Sequence, residues 1–399
     1  MGPDRYDVIV VGGGIHGAGV AQAAAAAGHR VLLLEKRAPG AGASSRSSKL
    51  IHGGLRYLET GQLRLVRECL RERRILLEIA PDIVRLERFY LPLYRATRRR
   101  DWQLITGLTL YALLAGGGRG TGFRRLAPAA AGDLDGLDRT GLQAVYRYAD
   151  ARTDDAALTR AVAASAVSLG ARVAFPAELV GGTLEPDGCH VRYLRAGHER
   201  EARCRVLVNA AGAWANALLD RIEPRPAGAG VALVQGTHLV IRERAVSRCY
   251  YLENPRDGRA IFVLPWRGGT LVGTTETPFD GDPDTVHPRA SERRYLRSAL
   301  LHYFPGFESA LAGRVDAFAG LRVLPAGDGH AFHRPRETRL VTDRDHRPRV
   351  VTIYGGKLTA YRATAGQVVA RVATALPAAR PIGDTRRLPL HPVPPDWSG

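Results

Sequence analysis

The sequence predicts an α/β (α+β) fold in which a mostly parallel sheet, assembled from separated segments, carries an inserted antiparallel-sheet domain. Three observations predict it. Near the N-terminus an apolar run, a glycine turn, an alanine-rich helical stretch and a second apolar run follow in order. Residues 230–275 are short β-like runs with turn residues between them, the mark of an antiparallel sheet. Strand-like runs at 315–324 and 350–354, then a helical pattern at 357–375, complete the chain.

The first element is the most informative. Residues 6–11 are apolar, and Gly12, Gly14 and Gly17 follow at G-x-G-x-x-G spacing before a helical segment to Ala27. The first glycine permits a tight turn, the second lets backbone approach a pyrophosphate, and the third lets helix pack on strand. The helix N-terminus, with Ile15 in its first turn, offers unpaired N–H groups and the positive end of its dipole to phosphates. A second run, residues 31–34, ends in Glu35, about 20 residues beyond the glycines, where an acid accepts hydrogen bonds from a ribose diol. Strand, turn, helix, strand and acid together make a Rossmann-like dinucleotide site.

The next block narrows the dinucleotide. Residues 42–59 read GASSRSSKLIHGGLRYLE. Ser/Gly clusters are usually solvated surface loops. This one is dense in donors and flows straight into an apolar, aromatic and charged run at 50–58, so it suits wrapping a diphosphate and the edge of an isoalloxazine ring.

The segment SSKLIHGGLRYLE resembles the flavin-binding signature of the FAD-dependent, quinone-linked glycerol-3-phosphate dehydrogenases. The likeness continues through VLVNAAGAW (206–214), QGTH (235–238), FVLPW (262–266), GTTE (273–276), GLR (320–322) and YGGKLTAYR (354–362), in the family's order over nearly all of residues 5–375. The middle blocks are shared with the wider amino-acid-oxidase-like flavoproteins. The resemblance implies FAD as cofactor. It implies oxidation of sn-glycerol 3-phosphate to dihydroxyacetone phosphate by hydride transfer from C2 to flavin N5, with electrons passed to a quinone or other acceptor. The cofactor contacts it implies are Gly12, Gly14, Ile15, Gly17, Glu35, Lys36, Ser44, Ser45, Ser48, Lys49, Leu50, His52, Gly53, Ala211, Gly212, Gly355, Gly356, Lys357 and Leu358.

Catalysis of that kind needs cations to hold a phosphate and a group to take the hydroxyl proton. Arginine suits phosphate because its planar fork binds bidentately and stays charged. Position within the resembling blocks singles out Arg56, Arg322, Arg336 and Lys357, with Tyr57 and His238 as neutral or switchable partners. His238 is the candidate base, because an imidazole titrates near working pH. For each of these the competing reading is structural: a surface arginine, a helix-start lysine, a core histidine. Glu276 stands where the family commonly has an acid, and capping is an equal explanation.

Bulk properties bound the rest. With 399 residues there is ample chain for two packed subdomains. Lys and Arg number 57 against 39 Asp and Glu, a net charge of +18. No aromatic-interleaved basic strip accompanies it, so an anionic substrate or peripheral contact with an anionic membrane surface is favoured over nucleic acid. The four cysteines are scattered without C-x-x-C, which argues against zinc or a disulfide framework. No metal site is expected. No signal peptide is visible, and the most apolar window, residues 104–115, falls short of the about 20 residues a membrane span needs. A cytoplasmic location is expected, with peripheral membrane attachment and a homodimer as open alternatives.

The expected domain organisation is a discontinuous FAD-binding domain (1–95, 150–228 and 335–378), a substrate domain (96–149 and 229–334) and a Pro-rich tail (379–399). Arg98, Arg99 and Arg100 read as a solvated helix start, and Thr153, Asp154 and Asp155 as a helix cap. Departures from the family pattern are His16, where Asn is common and solvent tolerance is expected, and Val323 after Arg322, where proline is usual. Relatives usually carry a further C-terminal helical domain, and any dimerisation or membrane docking that rests on it is left open here. Two alternatives stand beside the main reading: a related FAD-dependent oxidoreductase or oxidase acting on another small hydroxy acid or amine, and a non-catalytic flavin-binding homologue.

Overall fold

The computed structural model describes residues 4–117, 121–326 and 338–397. Strand β1 (Asp4–Val11) ends in four consecutive buried valine and isoleucine residues, as a strand covered on both faces must. Helix α1 (Ile15–Ala26) is apolar nearly all round and is buried accordingly, between the helices Asp155–Ser168 and Tyr361–Val372. Strand β2 (Val31–Leu34) then returns parallel to β1, with Val8 opposite Val31.

The parallel core of this nine-stranded sheet runs Arg172–Ala174, β2, β1, His198–Asn209, Val350–Tyr354. β2 flanks β1 on one side and His198–Asn209 on the other, so the order reverses at β1. A crevice opens at the carboxyl ends of strands at such a switch point.

The second sheet has ten strands and is antiparallel except where Cys249–Glu253 runs parallel to Val84–Tyr94. Its centre is Val231–Ile241, paired along its whole length with Val315–Pro325 and at its end with Gly269–Gly273. Helix Ala290–Tyr303 buries Leu296, Leu300 and Tyr303 in the core of this sheet with Tyr250, Phe304 and Phe307.

Three features differ from expectation. The long pair Val84–Tyr94 and Leu142–Thr153 belongs to the second sheet, so the boundary drawn at residue 95 falls after a strand of that sheet and the one at 150 cuts another. Arg99 is not solvated: it bonds Glu59 and Glu253 and ties the loop after residue 58 to strand Cys249–Glu253. The described part of the Pro-rich tail (379–399) is packed on the rest of the chain: Ile382 donates to the Ala26 carbonyl, Leu390 is buried and donates to the Ile79 carbonyl, and Trp397 lies beside Phe175.

The helix Asp155–Ser168 starts as the sequence indicates, with the Asp154 carboxylate accepting from the Ala157 N–H at 3.0 Å. Asp155 has a second task. Fully buried, it accepts from Ser47 N and Oγ and from Lys49 Nζ at 2.7 Å, clamping the Ser-rich loop to this helix. Asp155→Ala would strand the buried Lys49 ammonium, and the expected loss is about 3–5 kcal/mol of unfolding free energy by urea titration; a loss under about 1 kcal/mol would mean that the pair is not closed in solution.

Candidate active site

A cleft of about 540 Å³ runs from the ends of β1 and β2 to the face of the second sheet. At its first end the glycine turn makes the crevice. Gly12 has φ +107°, and a Cβ there would meet the Ala210 carbonyl at 2.6 Å; a Cβ at Gly17 would stand 1.8 Å from the Gly12 carbonyl. Gly17 therefore packs helix on strand and does not line the cleft, whereas Gly12, Gly14 and Ile15 do. Ser44 Oγ accepts the Ile15 N–H at 2.9 Å, leaving its own proton for a ligand at the helix N-terminus. The Glu35 carboxylate accepts from Gly13 N and Arg37 N, one per oxygen, so each oxygen keeps capacity for a diol hydroxyl. Lys36 lines the same end, 3.2 Å from Asp284 and 4.3 Å from the Trp214 ring centre. Ala211 and Gly212 form the opposite wall, and a Cβ at Gly212 would meet nothing within 4 Å.

The middle of the cleft is lined by Ser48, Leu50 and His52, but not by Ser45, Lys49 or Gly53. Those three expected cofactor contacts turn inward. Ser45 Oγ bonds the Gly42 carbonyl, Lys49 is consumed by Asp155 and the Ser45 carbonyl, and the Gly53 N–H donates to Tyr111 Oη at 2.8 Å. Behind Gly53 the chain of bonds continues from Tyr111 to Asp150 and from Asp150 to Arg73, all buried. Burial pushes the Asp150 carboxyl up, against the attraction of Arg73.

At the far end Gly355 (φ +73°) and Gly356 (φ +98°) form a left-handed turn that carries Lys357 and Leu358 into the cleft. His16 meets this turn: a Cβ on Gly356 would stand 2.5 Å from His16 Nε2. Burial pushes the His16 imidazole down to about 4, against a backbone hydrogen bond to Gly356. It is thus a neutral spacer between two glycine turns rather than a solvent-tolerant variation. His52 is pushed down to about 3 by burial and then by Lys357, Arg56 and Arg73.

The charged groups here form a line. Lys357 Nζ lies 3.8 Å over the Tyr57 ring, Arg56 5.5 Å from the same ring, and Arg56 and Arg322 approach one Glu276 oxygen at 3.6 and 2.9 Å. Among the described residues Lys357 has no carboxylate partner, and its other contact is Cys69 Sγ at 3.6 Å. His238 stands beside this line, stacked on Phe318 with Nε2 2.9 Å from Ser48 Oγ. Burial, then Arg322 and Lys49, hold its imidazole well below the usual range, so it is neutral. Arg336 lies outside the described residues.

Sequence reasoning missed Thr359, whose hydroxyl accepts the His52 N–H at 3.1 Å and joins the Ser-rich loop to the Gly355–Gly356 turn; its place in YGGKLTAYR was the available signal. It also missed Tyr111 and Asp150, which carry no local pattern. No group of three or more His, Cys, Asp or Glu that could hold a metal occurs among the described residues, and no helix there is long and apolar enough to cross a membrane.

The family model for FAD dependent oxidoreductases, DAO, matches residues 7–362. The chain belongs to that family. Its cofactor is FAD, and the glycine cradle at the start of α1 and the free capacity of Glu35 fit the pyrophosphate and the ribose of its ADP half. The chain is 36% identical over 366 residues to a glycerol-3-phosphate dehydrogenase of Pseudomonas aeruginosa, covering 90% of this chain and 69% of that one. It is 34% identical over 368 residues to a D-erythritol 1-phosphate dehydrogenase of Brucella abortus, covering 90% and 72%. The solved glycerol-3-phosphate dehydrogenase of Bacillus halodurans complexed with FAD superposes with a TM-score of 0.75 at 26% identity, covering 97% of this chain and 68% of that one. The oxidoreductase fold, with an FAD-binding sheet and a mostly antiparallel second sheet, is the one the sequence predicted.

The neutral His238 makes stability pH-dependent. Its folded pKa lies below the unfolded value near 6.5, so the unfolded chain binds the extra proton and stability is lost as pH falls below that value. Urea titrations between pH 7 and 5 should show wild type losing up to about 1.4 kcal/mol per pH unit more than His238→Asn. Parallel slopes for the two proteins would mean that folded His238 titrates at the same pH as in the unfolded chain.

Proposed function

We propose that this oxidoreductase dehydrogenates a phosphorylated polyol at a secondary alcohol, with sn-glycerol 3-phosphate as substrate, dihydroxyacetone phosphate as product and a quinone as electron acceptor. The observation that carries the reading is the convergence of Arg56, Arg322 and Lys357 at one end of the cleft, with the Glu276 carboxylate between the two arginines. Among the described residues the cations at this end outnumber the carboxylate beside them, an excess of positive charge that suits a phosphate monoester and disfavours an amine substrate. Bound FAD supplies the hydride acceptor.

The chain's own residues do the rest. Gly12, Gly14, Ile15 and Ser44 hold the cofactor's pyrophosphate, Glu35 its ribose, and Leu50, His52, Gly355, Gly356 and Leu358 surround its ring. Glu276 fixes the Arg322 fork, so phosphate binding spends little rotamer freedom. His238 takes the substrate hydroxyl proton. Its Nε2 lies 2.9 Å from the hydroxyl of Ser48, which lines the cleft, and with the ring proton on the buried Nδ1 this Nε2 is the nitrogen left to accept. An imidazole kept neutral by burial is always in the form that can accept.

The Brucella relative supports a second substrate, D-erythritol 1-phosphate, which has the same phosphate and one more carbinol carbon. An anaerobic visible spectrum of the FAD-loaded protein tests both. Bleaching of the flavin band by sn-glycerol 3-phosphate but not its enantiomer is the expected result; bleaching by the erythritol ester alone would transfer the assignment, and bleaching by neither would remove it. Arg322→Ala should retain FAD and lose about 100-fold or more in kcat/KM; unchanged kinetics would take Arg322 out of the site.

A further inference from the structure

We infer that Glu292, which lies outside the cleft on helix Ala290–Tyr303, is a positioning residue for the active site: its carboxylate sets the strand that carries His238 and the connection that carries Glu276 at one relative position. Five donors converge on it. Oε1 accepts from Thr275 Oγ1 at 2.7 Å and Thr277 Oγ1 at 2.8 Å. Oε2 accepts from Gln235 Nε2 at 2.6 Å, Thr237 Oγ1 at 2.7 Å and the Arg289 N–H at 3.1 Å.

The identity of these donors is what matters. Thr275 and Thr277 flank Glu276, and Thr237 immediately precedes His238. Successive side chains in extended chain point to opposite faces. Threonines that face Glu292 therefore turn their neighbours the other way, and both Glu276 and His238 line the cleft. Thr275 also accepts the Thr237 N–H at 2.8 Å, so the two segments are joined to each other as well as to the carboxylate. Gln235, Thr237, Thr275 and Glu292 are all buried. Burial works against ionisation of Glu292, but the hydrogen bonds from Thr237, Thr275, Thr277 and Arg289 N outweigh it and hold the carboxyl below its ordinary range.

A purely local role does not account for this. Glu292 sits at the third position of its helix, where a glutamate reaching back to the Arg289 N–H completes a capping box. That needs one of the five bonds. The other four come from outside the helix, and three of them, from Thr237, Thr275 and Thr277, belong to the residues next to the proposed proton acceptor and next to the carboxylate that orients Arg322.

The inference rests on the reading that His238, Glu276 and Arg322 face the substrate. Its test uses the full chain loaded with FAD, in three forms: wild type, Glu292→Gln and Thr277→Val. The limiting rate of flavin reduction by sn-glycerol 3-phosphate should fall about tenfold or more in Glu292→Gln, because a misplacement of about 1 Å near the chemistry can cost up to about 100-fold. Thr277→Val, which removes a single donor, should show a smaller fall in the same direction. Both should retain FAD, and a crystal structure of each should show the Glu276 carboxylate displaced from Arg322. A wild-type limiting rate in a folded variant with the Arg322–Glu276 bond intact would overturn the inference and leave Glu292 as a helix cap. If Glu292→Gln does not fold, Thr277→Val decides. If wild type is not reduced by this substrate, the substrate assignment fails, and the position of Glu276 in the Thr277→Val crystal structure still decides the role of Glu292.

Discussion

The architecture depends on one close approach of backbone to backbone. At the carboxyl ends of two neighbouring parallel strands, Gly12 sits so near the Ala210 carbonyl that no side chain fits, and Gly17 sits nearer still to the Gly12 carbonyl. These contacts fix where α1 begins and which way its first N–H groups point. They also bring Glu35, at the end of β2, within 2.6 Å of the Gly13 N–H. The cleft, the phosphate end of the site and the reversal of strand order are consequences of this one contact.

The second half of the site is set by buried charge pairs rather than by backbone packing. Asp155 with Lys49, and Asp150 with Arg73, hold the Ser-rich loop from two sides. Buried pairs repay little in stability because desolvation offsets their attraction, but each is costly to break, and that makes them good spacers. The chain contains only three lysines, Lys36, Lys49 and Lys357, and all three lie along or directly behind the cleft. Lys49 fits between Trp266 and Phe318, 5.2 and 5.1 Å from their ring centres, where a compact ammonium is accommodated.

The cationic end combines attraction with restraint. Glu276 between Arg56 and Arg322 keeps the two guanidinium groups from separating, and Tyr57 plays the same part between Arg56 and Lys357 through its ring face. His238 shares this corner and stays neutral, first through burial and then through Arg322 and Lys49. Glu292 extends the arrangement one layer further from the cleft, through hydroxyls that alternate with the residues facing it.

Local pattern was enough for whatever depends on local backbone. Gly12, Gly14 and Gly17, the apolar runs around them, Glu35 and the Asp154 cap were all legible, because turn geometry, strand burial and helix capping are properties of short segments. The antiparallel character of residues 230–275 was legible for the same reason. The strands Val84–Tyr94 and Leu142–Thr153 were not, since their pairing is between distant segments and Pro92 interrupts the first. Nor was the division of the Ser-rich loop legible. Ser44 and Ser48 face the cleft, while Ser45, Lys49 and Gly53 face inward, because Asp155 and Tyr111 approach from helices that only the fold brings near. The sequence by itself determined the dinucleotide cradle and the family of cations. The tertiary structure alone decided which of those side chains meet, because a pair such as Glu276 and Arg322, 46 residues apart, exists only once the strand Val315–Pro325 and the strands on either side of Glu276 have both packed on Val231–Ile241.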